Sequence, residues 1–326
     1  MTTKQQVNLN TYWKIPRLLA KPMEVALNPG GTLHPILIAV SNKDRLRFEI
    51  RERRFNVYYC GGSLMRVYER KKYWMSHFDE KYFKGGPLKP PQLPTQVSTK
   101  KDAHDWVEAF PDLIAGMDDW WKRHPKGELA HSHAMAEANS GIDGPPSGDY
   151  LVLDTEYQWA HRRFDMVTAK RRPTKKDATG WAEPDLVFVE VKCEYPACYD
   201  KAGLGDHARD YRDIITAMDS ASASAQYIRI KEEYENLIAQ KTRLGLLHES
   251  LGFRCFSPEV PELLVVFVDL APILPELLEP LGEVRAVSDE LGGAAHIRFM
   301  RLDSKKTYVM TADAALLLEG LVAESK

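Results

Sequence analysis

Four cysteines in 326 residues are too few to frame a chain of this length with disulfides. Reduced thiols in a cytoplasmic protein are the expectation. No apolar run approaches the roughly 18 residues of a membrane span. The longest candidates, such as Leu263 to Val268, fit a buried strand, so no membrane partner is expected. Met1 to Asn10 is polar and lacks the apolar stretch of a signal peptide. Neither sign of charge dominates: 44 Lys and Arg stand against 46 Asp and Glu, a formal net charge of -2. A globally basic nucleic-acid binder is not indicated, and any basic surface must be local. Internal repeats and low-complexity segments are absent. So are a GxxxxGK[ST] loop, an HExxH pair and a GxSxG elbow, which leaves no obvious ATPase motor and no zinc-protease or hydrolase-elbow signature. What is present is ordinary for a globular chain with a sizeable core: 44% hydrophobic and 28% charged residues.

Along the chain, residues 1 to 85 read as strand-rich. Leu33 to Val40 is an apolar stretch with β-branched residues, and Leu46 to Ile50 alternates. Phe55 to Tyr59 and Leu64 to Tyr68 flank Cys60-Gly61-Gly62-Ser63, a hairpin pattern in which glycine supplies positive φ angles. Gly85 to Pro94 holds four prolines and two glycines, which deny it regular structure. A domain boundary is expected here, with a strand-rich domain over 1–95 that binds substrate or a partner and a second domain over 96–326. Ser98 precedes an acidic helical turn, and Trp106, Phe110, Leu113 and Met117 recur at helical spacing, with Pro111 expected to interrupt the run. A second helix is expected from about Glu128 to Asn139, then a loop over residues 140–148. Strands follow at Tyr150 to Tyr157, Arg163 to Ala169 and Asp185 to Cys193, with a basic loop from Lys170 to Pro184 between the last two. A long helix is expected over about Asp206 to His248, its buried stripe running through Ile214, Met218, Ala221, Ala225 and Ile228. Leu263 to Asp269 has the continuous apolar character of a strand buried on both faces. The tail alternates short helices and strands, one near His296 to Arg301.

Acidic residues sit inside these apolar strands. In Val187-Phe188-Val189-Glu190-Val191-Lys192, Glu190 and Lys192 are two apart and leave the same face, while the valines leave the other. An acid and an amine on such a strand are costly to bury without a partner or a metal. An edge-strand pair facing water is the competing reading. Asp165 repeats the oddity within Arg163-Phe164-Asp165-Met166-Val167. Glu156 lies in the strand before it, and Glu137 on the preceding helix. Clustered carboxylates suit Mg²⁺, with Mn²⁺ as a substitute. Such an ion polarises a phosphate oxygen and lowers the pKa of bound water, and an adjacent lysine offsets developing charge.

This order and these residues resemble the PD-(D/E)XK nuclease superfamily over roughly residues 128 to 270. The resemblance implies an α/β, restriction-endonuclease-like αβββαβ core: a mixed sheet flanked by helices. It implies Asp165 as the motif aspartate, Glu190 and Lys192 as the ExK element, Glu137 as the helical first-motif glutamate and Glu156 as an additional acid. Metal ligation would fall to Asp165 and Glu190 with Glu137 or Glu156. The implied activity is Mg²⁺-dependent endo- or exonucleolytic hydrolysis of DNA leaving 5′-phosphate ends, in prokaryotic defence or DNA repair. Duplex cutting would favour a homodimer. Phe164 stands where the family signature has proline. The literal Pro184-Asp185 lies only five residues before Glu190 and has the opposite parity, so its side chain is expected to point away. The rival from another class is a non-catalytic nucleic-acid- or protein-binding module that keeps the fold.

Arg162, Arg163, Lys170, Arg171, Arg172, Lys175 and Lys176 crowd one strand end and loop, where they either hold a nucleic-acid backbone or form a solvated loop. A second basic set, Arg51, Arg53, Arg54, Arg66, Arg70, Lys71 and Lys72, is interleaved with Phe55, Tyr58, Tyr59 and Tyr68, whose rings either stack on bases or pack in the core. Asp206 is expected to cap the long helix, with His207 in its first turn near substrate phosphate or serving the cap alone. Cys193, Cys198 and His207 form an incomplete zinc set. His131, His133 and Glu137 are a weaker metal candidate.

Overall fold

The computed structural model describes residues 17–42, 45–70, 73–125, 127–159, 162–199, 201–218, 224–270, 277–292 and 296–323. Lys71, Lys72 and Ala221 lie outside the described residues. The protein is an α/β structure with two five-stranded sheets.

The first sheet is a meander, antiparallel throughout: β1 (Leu46–Arg51), β2 (Arg54–Tyr59), β3 (Gly62–Arg70), β4 (Tyr73–His77) and the short β5 (Gln96–Val97). The expected hairpin is β2–β3, but its turn centres on Cys60 and Gly61, with φ of 46° and 77°. A Cβ on Gly61 would meet Leu129 at 2.4 Å, so this corner is pressed against the segment that leads into the second sheet. Two helices precede the sheet, α1 (Lys21–Leu27) and α2 (His34–Ser41). The apolar stretch expected to be a strand is therefore α2. Ile36, Leu37, Ala39 and Val40 are its buried face, and Pro35 sits in the first turn, where its missing N–H costs nothing. A run apolar on all sides carries no period by which a buried strand and a buried helix can be told apart.

The expected boundary at residue 95 falls between β4 and β5 of one sheet. The next helix, α3 (Lys100–Arg123), packs Trp106, Phe110, Leu113 and Met117 into the same core as the first sheet. It starts with a capping box in which Thr99 is the N-cap and Asp102 the return partner. Pro111 does not interrupt it. The stripe on either side of the proline is buried, and that packing outweighs a proline penalty of about 3 kcal/mol.

The second sheet runs β10-β9-β8-β7-β6. Strands β6 (Tyr150–Trp159), β7 (Arg162–Lys170) and β8 (Asp185–Lys192) are antiparallel neighbours, while β9 (Glu262–Val268) and β10 (Ile297–Leu302) join in parallel. Helix α4 (Gly127–Ala138) precedes β6, and α5 (Leu204–Thr216) and α6 (Gln226–Arg243) separate β8 from β9. The expected single helix over 206–248 is thus two helices, and its stripe does not form. Met218 and Ile228 are exposed, at 58% and 40%, and Ala225 is the N-cap of α6. Helix α5 begins at Leu204 with Gly203 as N-cap, so Asp206 is not the cap residue. Its carboxylate instead accepts from the Ala202 N–H. Helices α7 (Leu278–Glu290) and α8 (Leu318–Ala323) complete the chain.

A buried ionic network joins the two sheets. All six residues of β1 are buried, because one face meets the apolar core and the other meets β6 and α6. Arg51 donates to Asp154 at 2.6 Å, Arg17 also pairs with Asp154, and Tyr234 donates to it at 3.1 Å. Glu49 accepts from Lys241 at 3.0 Å and pairs with Arg47. Arg47 further donates to the carbonyls of Ala136 and Val152. Burial opposes charge on both acids, but the surrounding cations hold Asp154 and Glu49 below the ordinary carboxylate range.

Candidate metal centre

Strand β8 carries Leu186 and Phe188 into the core, then turns the same face polar at its end with Glu190 and Lys192. Val187, Val189 and Val191 fill the core on the opposite face. Both polar residues are 3% exposed, so the edge-strand reading in which they face water does not hold. Lys192 Nζ donates to Glu190 Oε1 at 2.7 Å and to the Ala202 carbonyl at 3.1 Å. His207, in the first turn of α5, places Nε2 2.8 Å from the same Glu190 oxygen. One carboxylate thus faces an ammonium and an imidazole in a dry corner. Burial works against the charge on Lys192 and His207, yet Glu190 outweighs it and raises both.

Asp165 arrives from the adjacent strand by a break in the ladder. Pairing of β7 with β8 begins at Met166↔Val189, so Asp165 lies just beyond it. Its Oδ2 accepts from the Val191 N–H at 2.8 Å, taking the place of a backbone carbonyl. On the other side, β6 pairs through Thr155↔Met166 and Tyr157↔Phe164 and skips the intervening residues, and Glu156 there has φ of 55°. Phe164 and Val167 consequently both face the same core despite their odd spacing. Burial and then the nearby Glu190 push the Asp165 carboxyl up to about 8.

The third acid is Glu128, in the first turn of α4, where the helix dipole favours negative charge. One oxygen each from Glu128, Asp165 and Glu190 lie within 4.8 Å of one another, the one such group found among the described residues. Burial raises Glu128 too. The donor set fits a hard divalent cation such as Mg²⁺ or Mn²⁺, since all three donors are carboxylate oxygens.

Glu137 is not part of this group. It lies nine residues beyond Glu128 on α4, and a rise of 1.5 Å per residue carries it about 13 Å away along the axis. It lies 3.5 Å from His133 Nε2. Nothing in sequence says which end of α4 meets the strands. A first-turn glutamate was the one available signal. Glu156 stands at the rim: it accepts from Arg163 at 3.0 Å and Tyr58 at 3.3 Å, and lines a cleft of about 490 Å³ with Glu128, Arg163, Asp165 and Cys193. His131, His133, Cys193, Cys198 and His207 gather no metal site among the described residues.

The basic loop lies elsewhere. Lys170 pairs across β7–β8 with Asp185, five residues from Asp165, and about 3.3 Å per residue puts it roughly 17 Å away. Its cations are largely matched: Lys170 with Glu262 at 2.9 Å, Arg171 with Asp149 and Arg172 with Glu259 at 3.0 Å. Lys175 and Lys176 are exposed in the same loop. Arg162 pairs with Asp210 and Asp213. Of the cluster, Arg163 alone lines the cleft. Asp185 accepts from Ser257 at that far end.

No protein-family model matches this chain, and no curated protein and no solved structure matches it either.

Replacing Asp165 with asparagine should stabilise the metal-free protein. An unfolded aspartate ionises near pH 4, whereas folded Asp165 does so at about 8. Between those values the unfolded state binds fewer protons, so stability falls as pH rises. The amide of Asp165→Asn would keep the bond from the Val191 N–H and remove that cost. The expected gain is on the order of a few kcal/mol near pH 8 and vanishes near pH 4. Thermal melts in EDTA across that range check it, and a pH-independent difference would reject it.

Proposed function

We propose that the protein is a metal-dependent nuclease of the PD-(D/E)XK kind, acting on phosphodiester bonds of DNA. The observation that carries this is the convergence of Glu128, Asp165 and Glu190 within 4.8 Å, with Lys192 held on Glu190. The order α4, β6, β7, β8, α5, with β9 parallel to β8, supports the same reading.

Glu128, Asp165 and Glu190 would hold Mg²⁺. When bound, a divalent cation polarises the scissile phosphate and favours ionisation of a nearby water. The chain's own residues do the rest. Lys192, fixed between Glu190 and the Ala202 carbonyl, keeps a positive charge beside the carboxylates to offset charge developing on the phosphate. His207 holds Glu190 from the other side. Arg163, which bonds Glu156 on the cleft rim, would meet a flanking phosphate.

The test is incubation of supercoiled plasmid and single-stranded DNA with the protein in Mg²⁺, Mn²⁺ or EDTA. Cleavage with either ion and none in EDTA is expected. Absence of cleavage of both substrates in both ions would reject the proposal.

A further inference from the structure

The second basic set separates cleanly in three dimensions. Arg51 is buried in the network between the sheets, Phe55 and Tyr59 are core, and Arg53 lies 3.9 Å from Glu69. Arg54 and Arg66 remain, with Arg70 exposed at the far end of β3. They stand on one face of neighbouring strands, where Arg54 is opposite Tyr68 and Asn56 opposite Arg66. The next strand continues this face with His77 opposite Arg66. The β1 half of the face is covered by β6, and Asn56 and Tyr58 of β2 are buried with it, but the face opens beyond them: Arg54 and His77 are exposed, Arg66 and Tyr68 half-buried.

The two guanidiniums lack what Arg47 and Arg51 have on β1, an acidic partner. Among the described residues neither Arg54 nor Arg66 makes an ion pair or side-chain hydrogen bond, and the Arg66 Nε is buried with no acceptor. Burial and then the neighbouring Arg66 depress Arg54 below the ordinary guanidinium value. Two unmatched cations on adjacent strands repel each other, and an anion spanning both relieves that cost. The face also leads to the cleft. Asn56, the cross-strand partner of Arg66, donates to Tyr58 on the same side of β2. Tyr58 in turn donates to Glu156 at 3.3 Å, and Glu156 lines the carboxylate cleft.

We propose that the open face of the first sheet, through Arg54, Arg66 and Tyr68, is the track along which a single-stranded segment of nucleic acid reaches the metal centre. The inference rests on the nuclease reading for what happens at the end of the track. Phosphates engage the two arginines, and a base stacks on the Tyr68 ring, whose π face accepts any base. Cation plus ring on a half-open sheet suits an unpaired strand, because its bases are free to turn toward the protein.

Fluorescence anisotropy of a labelled single-stranded oligothymidylate, titrated in EDTA, reads this surface without any cleavage. The nuclease proposal fails by the absence of metal-dependent cutting, so the two failures are distinguishable. Arg54→Ala/Arg66→Ala is expected to weaken binding about tenfold or more and to lower the slope of log affinity against log salt by roughly 1.4, about 0.7 for each phosphate no longer neutralised. Tyr68→Ala should weaken it about fivefold or more. Arg54→Lys/Arg66→Lys should recover much of the affinity, since a point charge still meets a phosphate. Lys175→Ala/Lys176→Ala, in the far loop, should leave binding unchanged. Unaltered affinity and salt slope in the double alanine variant with an unchanged melting temperature would overturn the proposal. So would loss of binding in the Lys175/Lys176 variant alone, or tighter binding of a duplex than of the single strand.

Discussion

Alanine at Lys192 is expected to slow Mg²⁺-dependent DNA cleavage by about 10²–10³-fold, the scale seen when one preorganised charge partner is removed from a reacting group. The ammonium is 3% exposed and fixed by two bonds, so it costs no reorganisation when charge develops. Its loss leaves Glu190 still 2.8 Å from His207, which limits the damage to the fold. Glu190→Ala is expected to be at least as severe for a different reason: it removes a carboxylate from the proposed cation site. Titration calorimetry with Mn²⁺ separates the roles. Lys192→Ala should retain the ion and Glu190→Ala should lose most of its affinity, with circular dichroism showing both folded. Wild-type cleavage rates in both variants would mean that the chemistry, if any, lies elsewhere.

Asp154→Ala is expected to be the most destabilising single substitution away from the site, at about 3–5 kcal/mol. It strips one acid from Arg17, Arg51 and Tyr234 at once, leaving two buried guanidiniums short of a counter-charge. Urea unfolding followed by tryptophan fluorescence measures it, and a loss below about 1 kcal/mol would show that the network is dispensable. The same network sets an acid limit. Because Asp154 and Glu49 ionise lower in the folded chain than in the unfolded one, the stability they contribute is present above about pH 4 and is lost as pH falls through the folded values.

Much of the second sheet was legible because strand parity is local. Glu190 and Lys192 share a face by a two-residue period, and the valines between them leave the other whatever surrounds the strand. Asp165 was legible as an acid out of place among apolar neighbours. The first sheet's face was only half legible. Alternation in β1 marks a half-buried strand, yet its polar side is buried as deeply as its apolar side. Arg47, Glu49 and Arg51 there are satisfied by partners about 100 to 190 residues away, such as Asp154 and Lys241, and no spacing rule reaches so far.

The amino-acid order alone determined which side chains leave one strand face together and where apolar runs stop. Those properties follow from backbone geometry between near neighbours. Tertiary packing alone decided that Glu128 rather than Glu137 meets the strands, that Asp165 leaves the ladder to bond Val191, and that Arg54 and Arg66 stay unmatched while Arg47 and Arg51 do not. Each of these depends on which end or face of an element is covered by a distant one, and that is settled by burial summed over the whole chain.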